Sequence, residues 1–233
     1  MQKTKYHSWK RGTLAKGCQL CVKGQKMVLF VTGLCHKHCY FCPISEKKFN
    51  KDVLYINELK TNNFKKIIEE TKKGSSLGCG ITGGDPLMRL NRTINLIKIL
   101  KKTFGKKFHI HLYTPLELVN EDNLKRLNHS DLDEIRFHPS LNSNKLWDII
   151  SLANKFKWNI GVEIPLLPDK EREIKQLCNF IEGKVDFLNL NELEVSDTNS
   201  DALIKKGFKI KSKDSFAVKG SEKLGLKILK YCE

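Results

Sequence analysis

Short apolar runs alternate with amphipathic segments along most of this chain. Six runs rich in β-branched and aromatic residues have the length of buried strands, and they span 27–32, 77–82, 108–113, 133–138, 159–164 and 185–190. The segments between them are helical candidates, at 62–73, 92–104, 120–128, 144–156 and 170–181. In the second candidate, Ile94, Ile97 and Leu100 recur at three-residue spacing and give an apolar face. This alternation is typical of βα units around a parallel sheet.

Six units are too few to close an eight-stranded barrel. We therefore predict an α/β fold, an open partial (βα)6 TIM-type barrel with parallel strands. A two-sided Rossmann-like sheet is the alternative, because these patterns do not give the strand order. A sixth helix at 199–206, a strand-like stretch at 208–211 and a C-terminal helix capped by Ser221 complete the pattern. We expect one domain with three parts: a basic, cysteine-containing N-terminal extension (1–26), the barrel (27–206) and a C-terminal extension packed on it (207–233).

Polar and aliphatic residues alternate within the third to sixth strands. Since alternate side chains of a strand point to opposite faces, we expect the polar ones to point into the barrel and to converge: His111, Arg136, Glu163 and Asn189. A buried Arg or Glu is costly unless it is paired, which gives convergence a physical motive. We expect His109 to be a deeper, hydrogen-bonded interior histidine. Structural pairs inside a polar interior are the alternative to ligand contacts.

Three cysteines fall within eight residues directly after the first predicted strand. Cys35, Cys39 and Cys42 are spaced by three and then two positions, on a loop too tight for regular pairing. Thiolates are soft ligands that suit an iron-sulfur cluster or zinc. A cubane cluster is usually closed by four cysteines, so three cysteines without a near fourth leave one iron open.

The cysteine pattern, with Phe41 as the aromatic residue before the third cysteine, resembles that of the radical S-adenosylmethionine (SAM) superfamily. The resemblance implies a 4Fe-4S cluster on Cys35, Cys39 and Cys42, with SAM bound at the open iron and Phe41 beside the cofactor. One electron from the cluster would cleave SAM to methionine and a 5′-deoxyadenosyl radical that takes hydrogen from a substrate. The alternatives are a non-catalytic iron-sulfur or SAM-binding module and a zinc protein.

A glycine turn, Gly83-Gly84-Asp85-Pro86, follows the second predicted strand. Ligands of parallel α/β folds bind at the carboxyl ends of strands, where glycines allow close backbone approach. The turn resembles the family's Gly-Gly-Glu-Pro motif, which implies that Gly83, Gly84 and Asp85 contact the SAM amino group. The departure, Asp for Glu, leaves the role of the Asp85 side chain in question. An ordinary turn is the alternative.

The resemblance also implies SAM contacts from the ends of the fourth and fifth strands. The candidates are Arg136, His138 and Glu163. Residues after the sixth strand would face the open mouth and are candidate substrate contacts, or else solvated carboxylates: Asn191, Glu192 and Glu194. Catalytic residues of the protein itself are not apparent.

The chain looks most like archaeal proteins related to the activating enzymes of the pyruvate formate-lyase type. This likeness implies a ferredoxin or flavodoxin as electron donor and a macromolecular substrate. The resemblance favours a protein substrate. The formal charge of +16 and the basic N-terminus favour tRNA instead. Because 36 of the 42 basic residues are Lys, a solvated surface also explains the charge.

A second cysteine pair, Cys18 and Cys21, lies in the N-terminal extension. It predicts either an auxiliary metal site, which would need two further ligands, or structural thiols. The chain lacks an apolar run near the ~20 residues that cross a bilayer and lacks a signal-peptide core. We expect a cytoplasmic protein without a membrane partner, in a cell low in oxygen, since clustered cysteines in such a chain favour metal binding over disulfides.

Overall fold

Six parallel strands form most of an eight-stranded sheet in the computed structural model, which describes residues 1–232. We number them β1 to β6 in chain order: Lys26–Phe30, Gly78–Thr82, His109–Pro115, Glu134–His138, Asn159–Leu166 and Phe187–Glu192. Each strand pairs with the one before it, so the order along the sheet never reverses. A doubly wound sheet would reverse at a switch point. The predicted partial barrel is confirmed, and the Rossmann-like alternative is wrong.

The two edges of the sheet differ. Beyond β1, a hairpin of Tyr55–Ile56 and Leu59–Lys60 extends the sheet with two antiparallel strands. Its turn passes through Asn57 at a φ of 49°, in the left-handed region that Asn tolerates. Two-residue strands carry no usable alternation, so the sequence did not predict them. Beyond β6, no strand within residues 1–232 is paired, and the barrel stays open there.

Within residues 1–232, seven α-helices accompany the strands. We number them α1 to α7: Lys16–Cys21, Phe64–Lys73, Leu90–Phe104, Glu121–Asn128, Glu171–Ile181, Ser200–Lys205 and Ser221–Tyr231. A 3₁₀ helix, Trp147–Lys155, replaces the helix predicted at 144–156. α1 was not predicted, because six residues with a glycine and two cysteines have no helical periodicity to detect.

Two C-terminal predictions need correction. The stretch at 208–211 is not a strand: it makes only one isolated bridge, from Ile210 to Val218. Ser221 does not cap α7, whose N-cap is Gly220 at a φ of 93°. The Ser221 hydroxyl instead accepts the Leu193 N–H at 2.8 Å and donates to the Leu166 carbonyl at 2.9 Å. It ties the helix to the ends of two strands.

The predicted alternation within the strands is confirmed. Ile110, Leu112, Ile135 and Phe137 are fully buried in the apolar core between sheet and helices. The opposite faces of the strands carry the polar side chains into the barrel. The N-terminal extension does not stay outside: α1 contacts β1, β2 and β3. α7 packs on α5, β5 and β6, while Glu233 lies outside the described residues. No helix described here is long and apolar enough to cross a membrane.

Candidate active site

A cavity of about 680 Å³ lies at the carboxyl ends of the parallel strands. Small-molecule sites usually measure about 300–1,000 Å³. The lining comes from the loop after β1, the turn after β2 and the ends of β3 to β6. It contains most of the residues predicted to bind cofactor or substrate: Cys35, Cys39, Phe41, Cys42, Gly83, Gly84, His138, Glu163, Asn191, Glu192 and Glu194.

The three cysteines lie on one wall of this cavity, on a loop that we call the cysteine loop (residues 33–53). Each thiol is half-buried. The Cys42 N–H donates to the Cys39 carbonyl at 3.0 Å, which closes a tight turn. The Lys37 N–H donates to the Cys35 sulfur at 3.3 Å. Amide hydrogen bonds to sulfur are one means by which proteins tune iron-sulfur clusters.

Burial raises the pKa of all three thiols, that of Cys39 to about 11. Thiols with raised pKa values release their protons when a metal binds. Within residues 1–232, no three His, Cys, Asp or Glu side chains could hold a single metal ion. A cubane cluster differs from a single ion because each cysteine binds a different iron.

The tip of the cysteine loop is held by residues that the sequence analysis did not select. Asn199, which is 1% exposed, donates to the carbonyls of Phe41 and Glu194 at 3.1 and 3.0 Å. The Thr198 hydroxyl donates to the Cys42 carbonyl at 3.1 Å. The contacts to Phe41 and Cys42 cross more than 150 positions of sequence, so no local pattern could reveal them.

The glycine turn, residues 83–86, lies directly against the start of the cysteine loop. The Gly84 N–H donates to the Thr32 carbonyl at 2.8 Å. A Cβ at Gly83 would lie 2.4 Å from the Thr32 carbonyl oxygen, and one at Gly84 would lie 2.4 Å from that of Leu34. Only glycine fits at either position, and both line the cavity.

Asp85 differs from the two glycines because its buried side chain does not line the cavity. One carboxylate oxygen accepts the Leu87 N–H at 2.9 Å and the Thr114 hydroxyl at 2.8 Å. Burial raises the pKa of Asp85. This oxygen therefore shapes the turn, while the other carboxylate oxygen is buried without a hydrogen-bond partner among the described residues, and the predicted SAM contact of Asp85 stays a prediction.

His138 and Glu163 reach the cavity from β4 and β5, as predicted. The His138 Nδ1–H donates to the Glu163 carbonyl at 3.0 Å, which leaves Nε2 available. Burial lowers the pKa of His138, and the nearby Lys37 lowers it further, so the ring is neutral at pH 7. The Glu163 carboxylate accepts the side-chain amides of Asn189 and Asn191, each at 2.9 Å.

Arg136 does not line the cavity, although it was predicted to contact SAM. Its guanidinium lies below Glu163, to which Nη1 donates at 2.7 Å, and it donates to Glu134 from Nε at 2.6 Å and from Nη2 at 2.5 Å. The Tyr113 hydroxyl lies 3.1 Å from Nη1. Both carboxylates pair with this buried guanidinium, so Arg136 belongs to the interior below the site.

We call this interior, formed by His109, His111, Glu134 and Arg136, the polar floor. Helix α1 covers it. The Gly17 N–H donates to Glu134 at 3.2 Å, and a Cβ at Gly17 would lie only 2.5 Å from His111 Nδ1. Lys26 Nζ lies 2.5 Å from His111 Nδ1 and 3.2 Å from His109 Nδ1. The predicted interior role of His109 and the predicted convergence of Arg136 with its neighbours agree with this arrangement.

Cys18 points into the polar floor, where Arg136 Nη2 lies at 3.3 Å and Asn189 Nδ2 at 3.2 Å from its sulfur. Cys21, in contrast, is exposed. No ligand set for a metal ion forms around this pair in the described chain. The auxiliary metal site therefore stays a prediction.

The end of β6, which reaches Glu192 rather than the predicted residue 190, and the segment after it form a rim of the cavity. Asn191, Glu192 and Glu194 are exposed at the mouth. Glu192 lies 3.5 Å from Lys211, and the backbone of Glu194 bridges to Ala217. The rim is therefore acidic in a chain with a formal charge of +16.

A family model of the Radical SAM superfamily matches residues 29–150, which contain both the cysteine loop and the glycine turn. This match covers more than half of the chain. The chain belongs to the radical SAM superfamily. The cofactors of this enzyme superfamily are a 4Fe-4S cluster and SAM, in agreement with the sequence-based prediction.

Two curated relatives are named as activating proteins. A protein of Methanocaldococcus jannaschii, named as a candidate glycyl-radical enzyme activating enzyme, is 49% identical over 226 residues, which are 93% of this chain and 60% of the relative. The radical SAM chain thus spans well under the full length of that relative. The anaerobic ribonucleoside-triphosphate reductase-activating protein of Enterobacteria phage T4 is 30% identical over 130 residues, 53% of this chain and 78% of the phage protein.

Solved structures show the same fold at low sequence identity. Methylornithine synthase matches with a TM-score of 0.58 at 15% identity, over 89% of this chain and 61% of that one. The radical SAM methyltransferase TsrM of Kitasatospora setae matches with a TM-score of 0.55 at 9% identity, over 92% of this chain and 47% of that one.

The cavity fits the cofactors of the superfamily in its donor set and its shape. Three thiols on one wall supply the soft ligands of an iron-sulfur cluster. Two glycines with no room for a side chain expose backbone next to them. His138 and Glu163 add polar groups to the lining of the same cavity, and the His138 ring lies 5.9 Å from that of Phe41.

Proposed function

We propose that this radical SAM protein activates a partner protein by removing a hydrogen atom from one of its glycine residues. The observation that carries the proposal is the shared cavity: three thiols, two close-packed glycines and polar side chains line one space, and the end of the unpaired edge strand β6 belongs to the same lining. The names of both curated relatives support an activating role.

Each wall of the cavity has a separate task in this reaction. Cys35, Cys39 and Cys42 would hold the cluster, and the backbone at Gly83 and Gly84 would hold the SAM amino group. When bound, the cofactors supply one-electron cleavage of SAM, which yields methionine and, after hydrogen transfer from the substrate, 5′-deoxyadenosine. Neutral His138 offers Nε2 as an acceptor for a hydroxyl of the bound nucleoside. Phe41 and the other apolar lining exclude water from the reacting atoms.

The free edge of β6 supports a polypeptide substrate. The Asp186 N–H donates to the Ile160 carbonyl of β5, so the alternate residues 187, 189 and 191 direct their N–H and C=O groups away from β5. None of these groups has a backbone partner within residues 1–232. Exposed edges are usually blunted by proline, Lys or bulges, but the sequence from Phe187 to Asn191 has none of these features. An extended segment that pairs here would run into the cavity.

The test uses anaerobically reconstituted protein with SAM, dithionite and a purified glycyl-radical enzyme as substrate. We expect an organic radical doublet in the electron paramagnetic resonance (EPR) spectrum and one 5′-deoxyadenosine per radical. The doublet should collapse when the substrate carries α-deuterated glycine, because the glycine α-hydrogen causes the splitting.

The main competitor is tRNA modification, which the positive charge favours. If tRNA increases 5′-deoxyadenosine formation in a salt-sensitive way, and the protein substrate does not, the proposed glycine activation is wrong. Protein in which Cys35, Cys39 and Cys42 are all changed to Ala is the control for both arms.

A further inference from the structure

One carboxylate, that of Asp52, accepts four hydrogen bonds from two other segments of the chain. The Thr32 hydroxyl donates to Oδ1 at 2.9 Å, and Arg89 Nε donates to Oδ2 at 2.8 Å. Arg92 donates with both terminal nitrogens, at 2.6 and 3.1 Å. These contacts hold the carboxylate charged, and the Arg92 hydrogen bonds lower its pKa most.

The positions of these partners matter more than their number. Thr32 is the residue before the cysteine loop, and Asp52 lies at the end of that loop. Arg89 and Arg92 follow the glycine turn, and Arg92 also donates to the Val31 carbonyl at 3.0 Å. Because the Gly84 N–H already binds the Thr32 carbonyl, Asp52 closes a ring that joins the loop to the turn.

We propose that Asp52 is a positioning residue that fixes the cysteine loop relative to the glycine turn, and so aligns the two halves of the cofactor site. The proposal rests on the cofactors of the superfamily and is independent of the substrate. Asp52 touches none of the cavity-lining thiols or glycines through its side chain. It acts through Thr32 on one side and through the two arginines on the other.

The alternative is that the Asp52–Arg92 pair only stabilises the fold, and the exposure of both side chains to water argues against that role. The Asp52 and Arg92 side chains are 31% and 33% exposed. Ion pairs that water reaches contribute little to stability. In this setting, a bidentate Arg–carboxylate pair fixes the orientation of the two side chains relative to each other. The tip of the cysteine loop has its own anchors at Asn199 and Thr198, so the loop does not need Asp52 to hold Cys42 in place.

The experiment compares Asp52→Asn with wild type in the anaerobically reconstituted, full-length protein. Iron content reports cluster assembly, equilibrium dialysis gives the SAM dissociation constant, and EPR follows the change in the reduced cluster when SAM is added. We expect iron within about 20% of wild type but SAM binding weakened by about tenfold or more, because small displacements at such sites have large effects. Glu58→Gln is the matched control, since that carboxylate is 92% exposed and contacts the cysteine loop only through a solvent-exposed pair with Lys48 at 3.4 Å.

A second variant keeps the positive charge but removes the bidentate donor geometry of the guanidinium. Arg92→Lys offers one donor group in place of two parallel ones. We expect iron content close to that of wild type and SAM binding weakened by about threefold or more. In the double variant Asp52→Asn/Arg92→Lys, most of the loss caused by Arg92→Lys should disappear, because Asp52→Asn has already broken the Arg92–Asp52 contact, and only the Arg92 bond to the Val31 carbonyl remains to be lost.

Unchanged SAM affinity in Asp52→Asn, or equal losses in Glu58→Gln, would overturn the proposal. If Asp52→Asn does not fold, wild-type SAM binding by Arg92→Lys would overturn it as well. Failure of the proposed function looks different: the wild-type protein would bind SAM yet form no glycyl radical on the partner protein, while the affinity ratios would still decide the role of Asp52.

Discussion

The polar floor and the cavity above it are built from the same strands, but their polar groups differ in what they bind. In the floor, Glu134 is fully buried and pairs with Arg136 and the Gly17 N–H. In the cavity, the thiols of Cys39 and Cys42 and the Nε2 of His138 face open space. Satisfied buried groups stabilise a fold. Groups left facing a cavity indicate a ligand.

Glu163 joins the two regions. One oxygen accepts Arg136 from below, and the residue also lines the cavity. The comparison therefore predicts that floor substitutions reduce stability and that cavity substitutions reduce cofactor binding. Four predictions test this division, from the largest expected effect to the smallest.

The first prediction concerns Glu134→Gln. This change leaves Arg136 without its fully buried partner, and breaking a buried pair costs about 3–5 kcal/mol. Urea unfolding of the apoprotein measures the free energy. Glu192→Gln at the rim is the control and should change stability by less than about 0.5 kcal/mol. Equal effects in both variants would remove the distinction between floor and cavity.

The second prediction concerns acid. Burial lowers the pKa of His109 to about 3 and that of His111 well below its usual value. Below pH 6.5 the unfolded chain binds protons at these histidines while the folded chain does not, so stability falls with falling pH. These two groups contribute about 2.7 kcal/mol per pH unit, and His138, whose pKa burial also lowers, adds to the slope. Unfolding curves between pH 6.5 and 4.5 measure the slope, and His109→Gln should reduce it by about 1.4 kcal/mol per pH unit. A flat profile would contradict the buried, neutral state of both rings.

The third prediction concerns Gly17→Ala in α1. The added methyl group would lie 2.5 to 2.8 Å from His111, Arg136 and Glu134, and overpacking of this kind costs about 1–3 kcal/mol. Gly74→Ala is the control: its φ of −76° suits alanine, and its nearest contact is the mobile Ser76 hydroxyl at 3.2 Å. A melting temperature equal to that of wild type would mean that α1 does not close the floor.

The smallest effect is expected for Cys18→Ser. The hydroxyl can accept the same hydrogen bonds from Arg136 and Asn189, so stability should change by less than about 1 kcal/mol. Iron should remain at about four per chain. Wild-type iron clearly above four, with a loss in Cys18→Ser, would instead establish the auxiliary metal site at Cys18 and Cys21.

The sequence predicted the elements of this fold because each strand and helix carries its own periodicity. The six strands were placed within a few residues, and the alternation in His109–Tyr113 and Glu134–His138 indicated which side chains point inward. Depth was predictable only in part: the interior position of His109 was expected, whereas Arg136 was expected at the cavity. Arg136 and His138 have the same pattern on one strand, but only His138 reaches the cavity. Two residues along a strand separate the floor from the site.

The sequence predicted those parts of the site whose residues lie close together along the chain. The cysteines and the glycine turn are short motifs, whereas the groups that hold them in place are distant in sequence. Asp52 meets Arg92 across 40 positions, and Asn199 meets Phe41 across 158. Such residues are ordinary in type, and only the folded chain brings them to the site.

The central claim is that this cavity cleaves SAM with a cluster held by three cysteines. The most direct measurement is 5′-deoxyadenosine formed anaerobically from SAM and dithionite by reconstituted protein, beside its iron content. We predict about four irons per chain and 5′-deoxyadenosine from the wild type, and neither from the variant in which Cys35, Cys39 and Cys42 are Ala. Zinc in place of iron, or iron without any cleavage of SAM, would contradict the account.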